Sequence, residues 1–213
     1  MSIPRSPERS AGERIYLILK EEIIQGELAQ GAKVSERSLA ERFETSRIPL
    51  RDAVQRLIAE GFMTSDTRRG TMVTTIRPRD LDELWDVRES LEVLAARLAA
   101  ERCDAEGRKL LRSRIKAARV ALAKGDDREV VRANAAFHEA VIDVADNELL
   151  RSVMVPLNDK IRWVFGAYLA RPLDQLVAEH AALYELIVSG DSEAIRKAAY
   201  VHVREGRERR AGH

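Results

Sequence analysis

Two groups of side chains in this sequence have types and spacings that suit binding chemistry. The first includes Arg47 and Arg51, which are four positions apart and would project from one face of a helix. Arginine pairs bidentately with guanine edges or with phosphate oxygens. The segment 46–79 holds seven Lys or Arg against three Asp or Glu, whereas the whole chain has a net charge of +1. An anionic partner and a solvated basic face both fit this charge distribution.

The second group consists of three internal histidines, His138, His180 and His202, each in a different amphipathic segment. If these segments form one helical bundle, the imidazoles could converge on a divalent metal. Alternatively, each histidine is an ordinary polar residue that is hydrogen-bonded to its neighbours or half-exposed to solvent. Asn134 precedes His138 by four positions, so the two side chains would lie one above the other on a helix.

Periodicity predicts the elements that position the two arginines. Three helices and a β-hairpin are expected in the first 76 residues, over 14–25, 35–43, 45–61 and 62–76. Ser35 has the character of an N-cap, and Gly61 would end the third helix. A turn-rich basic tip, which includes Arg68, separates the two β-prone segments.

The pattern changes after residues 77–80, which are expected to form a linker because Pro78 opposes helix continuation and Asp80 can cap the next helix. Six consecutive amphipathic segments with short connections imply an antiparallel helical bundle. They cover 81–103, 106–123, 126–145, 148–170, 173–189 and 191–210. The predicted fold is therefore mainly α, organised as a flexible arm (1–10), a helix-and-hairpin domain (11–76), the linker (77–80) and a helical domain (81–210).

Composition narrows the possible classes of protein. The single Cys103 excludes an internal disulfide framework and a cysteine-rich zinc site. Apolar runs are far too short to span a membrane, and the first ten residues lack the apolar core of a signal peptide. A cytoplasmic protein without a membrane partner is expected.

The first third of the chain resembles the winged helix-turn-helix domain of GntR-type transcription regulators. The resemblance runs from about residue 14 to 76 and rests on GELAQG at 26–31, SERSLAERF at 35–43, SRIPLRDAVQRL at 46–57 and RRGTMV at 68–73. It implies contacts with a palindromic double-stranded operator by Arg37, Ser46, Arg47, Arg51, Arg69 and Gly70. Ile48 and Asp52 stand where threonine and glutamate are usual, and neither change removes a contacting arginine.

Residues 81–207 resemble the FCD effector domain that accompanies this module in the FadR-like branch. The resemblance rests on NAAFH at 134–138, ADNELL at 145–150, EH at 179–180, SGD at 189–191 and His202. It implies a divalent metal (Zn, Ni, Mn or Fe) held by Asn134, His138, His180 and His202, with a small carboxylate beside it. Asn134 stands where aspartate is usual, so an oxygen ligand remains without its charge, and a site without metal stays open.

The same resemblance implies that Arg88 faces the effector cavity and clamps a carboxylate. A salt bridge to Glu92, one turn later, is the alternative. Further pocket candidates are Asn158, Arg162 and Tyr168.

The predicted function is that of a homodimeric transcription regulator, a repressor whose operator affinity is controlled by a small organic acid, and not an enzyme. Two alternatives stay open at this point. One is a metal-dependent enzyme that uses the three histidines. The other is a dimerisation scaffold that binds no ligand.

Overall fold

Three helices and a small sheet form the first of two units into which the chain divides, between Arg77 and Pro78. The structure, a computed structural model, describes residues 10–168 and 172–210, with side chains over 10–164 and 172–207. The predicted arm at 1–10 therefore lies outside the described residues except for Ser10. The elements of the first unit are α1 (Ala11–Ile24), β1 (Lys33–Val34), α2 (Glu36–Arg42), α3 (Arg47–Ala59), β2 (Met63–Asp66) and β3 (Gly70–Val73).

The sheet has the order β1-β3-β2, and both strand pairs are antiparallel. The hairpin predicted from the two β-prone segments is present, and in it Met63 pairs with Val73. The two-residue strand β1 was not predicted, because it is too short to show a period. This strand forms by pairing with β3, which is distant in the sequence. Beside it, the N–H of Val73 donates a hydrogen bond to the carbonyl of Ala32 at 2.9 Å.

The interior of this unit lies mainly between α1 and α3. Leu19 and Ile23 of α1 and Leu57 of α3 are fully buried. A polar link fastens the end of α3 to α1, because Lys20 Nζ lies 2.9 Å from Glu60 Oε2 and Tyr16 Oη donates to Glu60 Oε1 at 2.7 Å. Packing and link together fix which face of α3 points outward.

Six helices form the second unit, as the sequence predicts. They are α4 (Pro78–Arg102), α5 (Ala105–Ala123), α6 (Asp127–Val144), α7 (Glu148–Tyr168), α8 (Leu173–Ser189) and α9 (Ser192–Arg210). Helix α4 begins at Pro78, within the segment expected to be a linker. Proline is accepted in the first turn of a helix, where its missing N–H has no helical partner to lose.

Helix caps set the short connections of the bundle. Asp104 accepts a hydrogen bond from the N–H of Gly107 at 2.7 Å, and Gly190 ends α8 with a φ of 75°. Gly107 lies in the first turn of α5. A Cβ there would approach the Val144 side chain to 3.1 Å, so the glycine permits close packing of α5 and α6.

Helix α6 contacts α4, α5, α7 and α8, so its inward face is the centre of the bundle. Phe137 and Ile142 of α6 are almost completely buried there, beside Met154 of α7 and Ile187 of α8. Asn134 and His138 lie on the same helix and are carried into this interior. None of the described helices is long and apolar enough to cross a membrane.

Candidate functional site

The outward face of α3 carries the two predicted arginines. Leu50, Val54 and Leu57 are fully buried on the opposite face, so Arg47 and Arg51 are exposed. Across the described ranges, neither arginine has an ion-pair or hydrogen-bond partner. Their guanidinium groups are therefore available to a phosphate or a base edge without first breaking an internal contact.

Ser46 precedes α3 as its N-cap, but its side chain makes no capping hydrogen bond. In contrast, the Oγ of Ser35 accepts a hydrogen bond from the N–H of Ser38 and caps α2. The exposed Ser46 hydroxyl and the first N–H groups of α3 are thus presented together. A helix N-terminus with such donors suits a phosphate group.

The β2–β3 hairpin forms an ordered basic tip. Asp66 Oδ1 accepts hydrogen bonds from the N–H groups of Arg68 and Arg69, at 2.7 and 2.9 Å. Gly70 follows with a φ of 79°, a conformation that L side chains rarely adopt. The turn leaves the arginine side chains exposed, which suits contact with a nucleic-acid backbone.

Arg37, on α2, is also predicted to contact DNA, and it has an ion-pair partner within the protein. Its Nε lies 3.1 Å from Glu41 Oε1, and the two side chains are 86% and 67% exposed. Such an exposed ion pair is weak and easily exchanged for another anion. The structure thus places all six predicted contact residues at the surface of the first unit, on α2, α3 and the hairpin.

The second unit brings the three internal histidines together. His138 of α6, His180 of α8 and His202 of α9 each offer a ring nitrogen, and these nitrogens lie within 4.8 Å of one another. The Nε2 atoms of His180 and His202 are 3.2 Å apart. Two imidazole nitrogens bound to one Zn²⁺ at about 2.0–2.1 Å would lie roughly 3.3 Å apart, so this pair already has the spacing of metal ligands.

Two carboxylates contact the outer nitrogens of this cluster. Glu179 Oε2 lies 2.9 Å from His202 Nδ1, and Glu92 Oε2 lies 3.4 Å from His138 Nδ1. A carboxylate that holds Nδ1–H leaves Nε2 unprotonated and fixes the ring, as in metal sites of proteins. The donor set and its surroundings therefore fit a divalent metal.

Arg88 and Glu92 form a buried ion pair on α4. Arg88 Nε lies 2.5 Å from Glu92 Oε1, and the side chains are 4% and 8% exposed. Burial alone would raise the pKa of Glu92, but the charge of Arg88, the neighbouring His138 and the hydrogen bond from Arg88 outweigh it and lower the pKa to about 2. The salt bridge weighed as the alternative for Arg88 is thus the observed arrangement, and the carboxylate-clamp role stays a prediction.

A polar cavity of about 30 Å³ lies beside the cluster. Three helices each contribute a pair of side chains one turn apart: Arg88 and Glu92 of α4, Asn134 and His138 of α6, and Asn158 and Arg162 of α7. A second cavity of about 20 Å³ is mainly apolar and shares Glu92 and His138 with the first. Glu92 and His138 therefore line both cavities.

Five predicted residues line the polar cavity, namely Arg88, Asn134, His138, Asn158 and Arg162. The side chain of Tyr168 lies outside the described residues. Sequence reasoning named Glu92 only as a partner for Arg88 and Glu179 only as part of a motif. Their contacts with His138 and His202 join different helices, so no local spacing could have indicated them.

Comparison with protein families covers both units. Residues 11–73 match the family described as "Bacterial regulatory proteins, gntR family", and residues 83–205 match the FCD domain. Together the two matched regions contain all six predicted DNA-contacting residues and all three clustered histidines.

Among curated relatives, the chain is similar to two regulators over most of its length. It is 31% identical to a Paenarthrobacter nicotinovorans protein named "Probable D-xylose utilization operon transcriptional repressor", over 85% of this chain and 80% of that protein. It is 24% identical to the HTH-type transcriptional repressor RspR of Escherichia coli K12, over 94% of this chain and 89% of that one.

Solved structures have the same fold. A GntR transcriptional regulator from Rhodococcus sp. RHA1 matches with a TM-score of 0.82 and 22% identity, over 96% of this chain and 99% of that one. McbR/YncC of E. coli matches with a TM-score of 0.77 and 22% identity, over 93% and 96% of the two chains.

Proposed function

The chain belongs to the GntR family of bacterial regulatory proteins and carries an FCD domain, and from this premise we propose that it is a homodimeric, effector-controlled repressor. Family membership makes it a DNA-binding transcription regulator rather than an enzyme. The proposal adds what controls it, namely a small organic acid bound in the helical bundle. Two relatives that bear the name of repressor support the direction of regulation.

The observation that best supports DNA binding is that Arg47 and Arg51 are exposed on α3 and have no partners among the described residues. The major groove of B-DNA admits one helix, and side chains near its N-terminus reach the base edges. Ser46 would bind a phosphate, while Arg69 and Gly70 would follow the backbone or minor groove. Two such units in a symmetric dimer would bind the half-sites of a palindrome.

Effector binding by the bundle is supported by the polar cavity, which arginine, asparagine and histidine side chains line. His138, His180 and His202 would hold a divalent metal, and Asn134 is the proposed fourth ligand. A bound metal would add positive charge beside the cavity and attract a carboxylate. Arg88 can receive that carboxylate only by sharing or exchanging its contact with Glu92.

Footprinting of purified protein on the promoter beside its own gene tests the DNA half. We expect specific protection at moderate salt, and we expect Arg47→Ala and Arg51→Ala each to weaken operator binding by about 10- to 100-fold. Arg196→Ala changes an exposed arginine on α9, in the other unit, removes the same charge and serves as the control. Absence of specific protection, or unchanged binding by both α3 variants, would refute the proposal.

The remaining alternative function is a dimerisation scaffold that binds no ligand. Metal analysis together with a thermal-shift screen distinguishes this alternative from the proposed repressor. The proposed repressor should contain bound divalent metal, and at least one organic acid should raise its melting temperature. The same acid should release the operator in a gel-shift assay. If neither metal nor any acid binds, the bundle serves dimerisation alone.

A further inference from the structure

One isoleucine on the outward face of α3 is strongly exposed to solvent. Ile48 is 75% exposed, compared with 44% for Ile18, the other exposed isoleucine among the described residues of the first unit. Ile48 lies in the first turn of α3, between Arg47 and Arg51 in the sequence. The other exposed side chains in the first two turns of α3 are all charged. A large apolar side chain therefore stands within an otherwise charged surface.

The side chain of Ile48 contributes little to the interior of the first unit. The core is supplied by the opposite face of α3, where Leu50 and Val54 are fully buried. A β-branched residue is also a weaker helix former than leucine or arginine, because its side chain loses rotational freedom in a helix. The apolar surface of Ile48 is thus left for a contact with a partner of α3.

The chemistry of Ile48 differs from that of its neighbours. Ser46, Arg47 and Arg51 carry donors that suit phosphate oxygens or the edge of guanine. The side chain of Ile48 has neither a donor nor an acceptor, so it can form no hydrogen bond with a phosphate or a base. In the major groove, thymine presents an apolar group at its edge, the C5-methyl. This methyl group is therefore the base feature that Ile48 matches.

The position of Ile48 on the helix limits which thymine it can reach. Ile48 and Arg51 are three positions apart, so their Cβ atoms are about 5–6 Å apart. Successive base pairs are about 3.4 Å apart along the duplex, so the two side chains reach bases within one or two steps of each other. Isoleucine in a helix has one strongly preferred χ1 rotamer, so its methyl groups have a defined direction before DNA binds.

Building on the proposed function, in which α3 enters the major groove of an operator, we propose that Ile48 determines sequence specificity by contacting the C5-methyl group of a thymine. This thymine lies within one or two base pairs of the position that Arg51 contacts. A symmetric dimer bound to a palindrome makes the contact once in each half-site. Loss of the methyl group should therefore weaken binding even when base pairing is unchanged.

Replacing thymine with deoxyuridine tests the inference, because it removes the methyl group and keeps the base pair. The probe is the operator fragment that footprinting of the full chain defines, with each thymine replaced in turn at the same place in both half-sites. We expect one position to weaken binding by about 15-fold, since a buried methyl group contributes about fourfold in each half-site. Replacement at the other positions should change binding by less than about twofold.

Three variants assign this effect to a side chain. Ile48→Ala removes the apolar contact, so it should bind the thymine and deoxyuridine probes with affinities within about twofold of each other. Ile48→Val keeps a branched apolar side chain and should retain most of the difference. Leu149→Ala is the matched control, because Leu149 is 76% exposed on α7 in the other unit. All three should melt at the temperature of the parent, since these side chains bury little surface.

The outcomes distinguish this inference from the proposed function. A deoxyuridine effect that disappears in Ile48→Ala and persists in Ile48→Val and Leu149→Ala supports it. An effect that is absent in the parent, or equal in the parent and Ile48→Ala, overturns it while leaving operator binding intact. A changed oligomeric state of Ile48→Ala in gel filtration, with the deoxyuridine effect retained, would assign Ile48 to a protein contact and also overturn it. Absence of any protected operator overturns both.

Discussion

His180 and His202 share a hydrogen bond between their Nε2 atoms, which lie 3.2 Å apart in the interior of the bundle. His202 Nδ1 lies 2.9 Å from a carboxylate oxygen of Glu179, and an ionised carboxylate only accepts. Nδ1 of His202 therefore carries its proton, and His180 Nε2–H donates to His202 Nε2. A metal bound by both Nε2 atoms would take the place of this hydrogen bond, and the His180 proton would then lie on its Nδ1.

Metal binding by the apo protein should thus release no net proton from this pair, because both rings stay neutral, and it should depend on both rings. We expect His180→Ala and His202→Ala each to lower the affinity for Zn²⁺ or Ni²⁺ by more than about 100-fold. Calorimetric titration in two buffers of different ionisation enthalpy measures both quantities. Cys103→Ser, which removes the single thiol, is the control and should bind as the parent does. Equal metal affinity in the parent and both histidine variants would contradict the prediction.

Glu179 is expected to act on the metal through His202 rather than as a ligand. Because its carboxylate holds the Nδ1 proton, Glu179→Ala should lower metal affinity by about 10- to 100-fold without changing the number of metal ions bound. Glu185→Ala provides a matched control, since Glu185 is exposed on the same helix. A change in stoichiometry, or a loss no greater than that of Glu185→Ala, would exclude this positioning role.

Helical periodicity was sufficient to predict the helices of the fold, because each helix buries one apolar stripe. The structure differs from the prediction where the local sequence shows no periodic pattern. Strand β1 forms only because β3 offers its edge, and α4 begins at Pro78 because the first turn of a helix tolerates proline. Neither outcome depends on a period that a sequence window could detect.

The site was predictable only in part, for a similar reason. His138, His180 and His202 stand out because imidazoles on apolar faces are unusual. Which carboxylate each ring meets depends on how helices are rotated against each other, and that rotation is set by packing across the whole bundle. Glu179 and Glu92 therefore emerge as partners only in three dimensions.

Two serines at helix starts should respond differently to the same substitution. Ser35 caps α2, so Ser35→Ala should lower stability by about 1 kcal/mol. The side chain of Ser46 makes no capping bond, so Ser46→Ala should leave stability almost unchanged. If Ser46 binds a phosphate, that variant should weaken operator binding by about 3- to 10-fold. Hydrogen exchange of the α2 and α3 amides measures stability, and a gel shift at fixed salt measures affinity. The reverse pattern would show that Ser46 is structural.

Removing one partner of the buried pair Arg88 and Glu92 should lower the stability of the bundle strongly, whereas replacing both with apolar side chains should lower it little. Each side chain is less than a tenth exposed, so removing one partner leaves an uncompensated charge in the interior. We expect Arg88→Ala and Glu92→Ala each to lower the unfolding free energy of the bundle by about 3–5 kcal/mol.

The double variant Arg88→Met/Glu92→Leu should lose far less than the sum of the single losses, since an apolar pair leaves no buried charge. Urea unfolding followed by tryptophan fluorescence reports on the bundle, because Trp85 and Trp163 are the two tryptophans of the chain and both lie there. We expect a coupling energy of about 2 kcal/mol or more in the double-mutant cycle that the single variants Arg88→Met and Glu92→Leu complete. Additive losses would mean that the two charges are stabilised separately, and a carboxylate effector could then bind Arg88 without competing with Glu92.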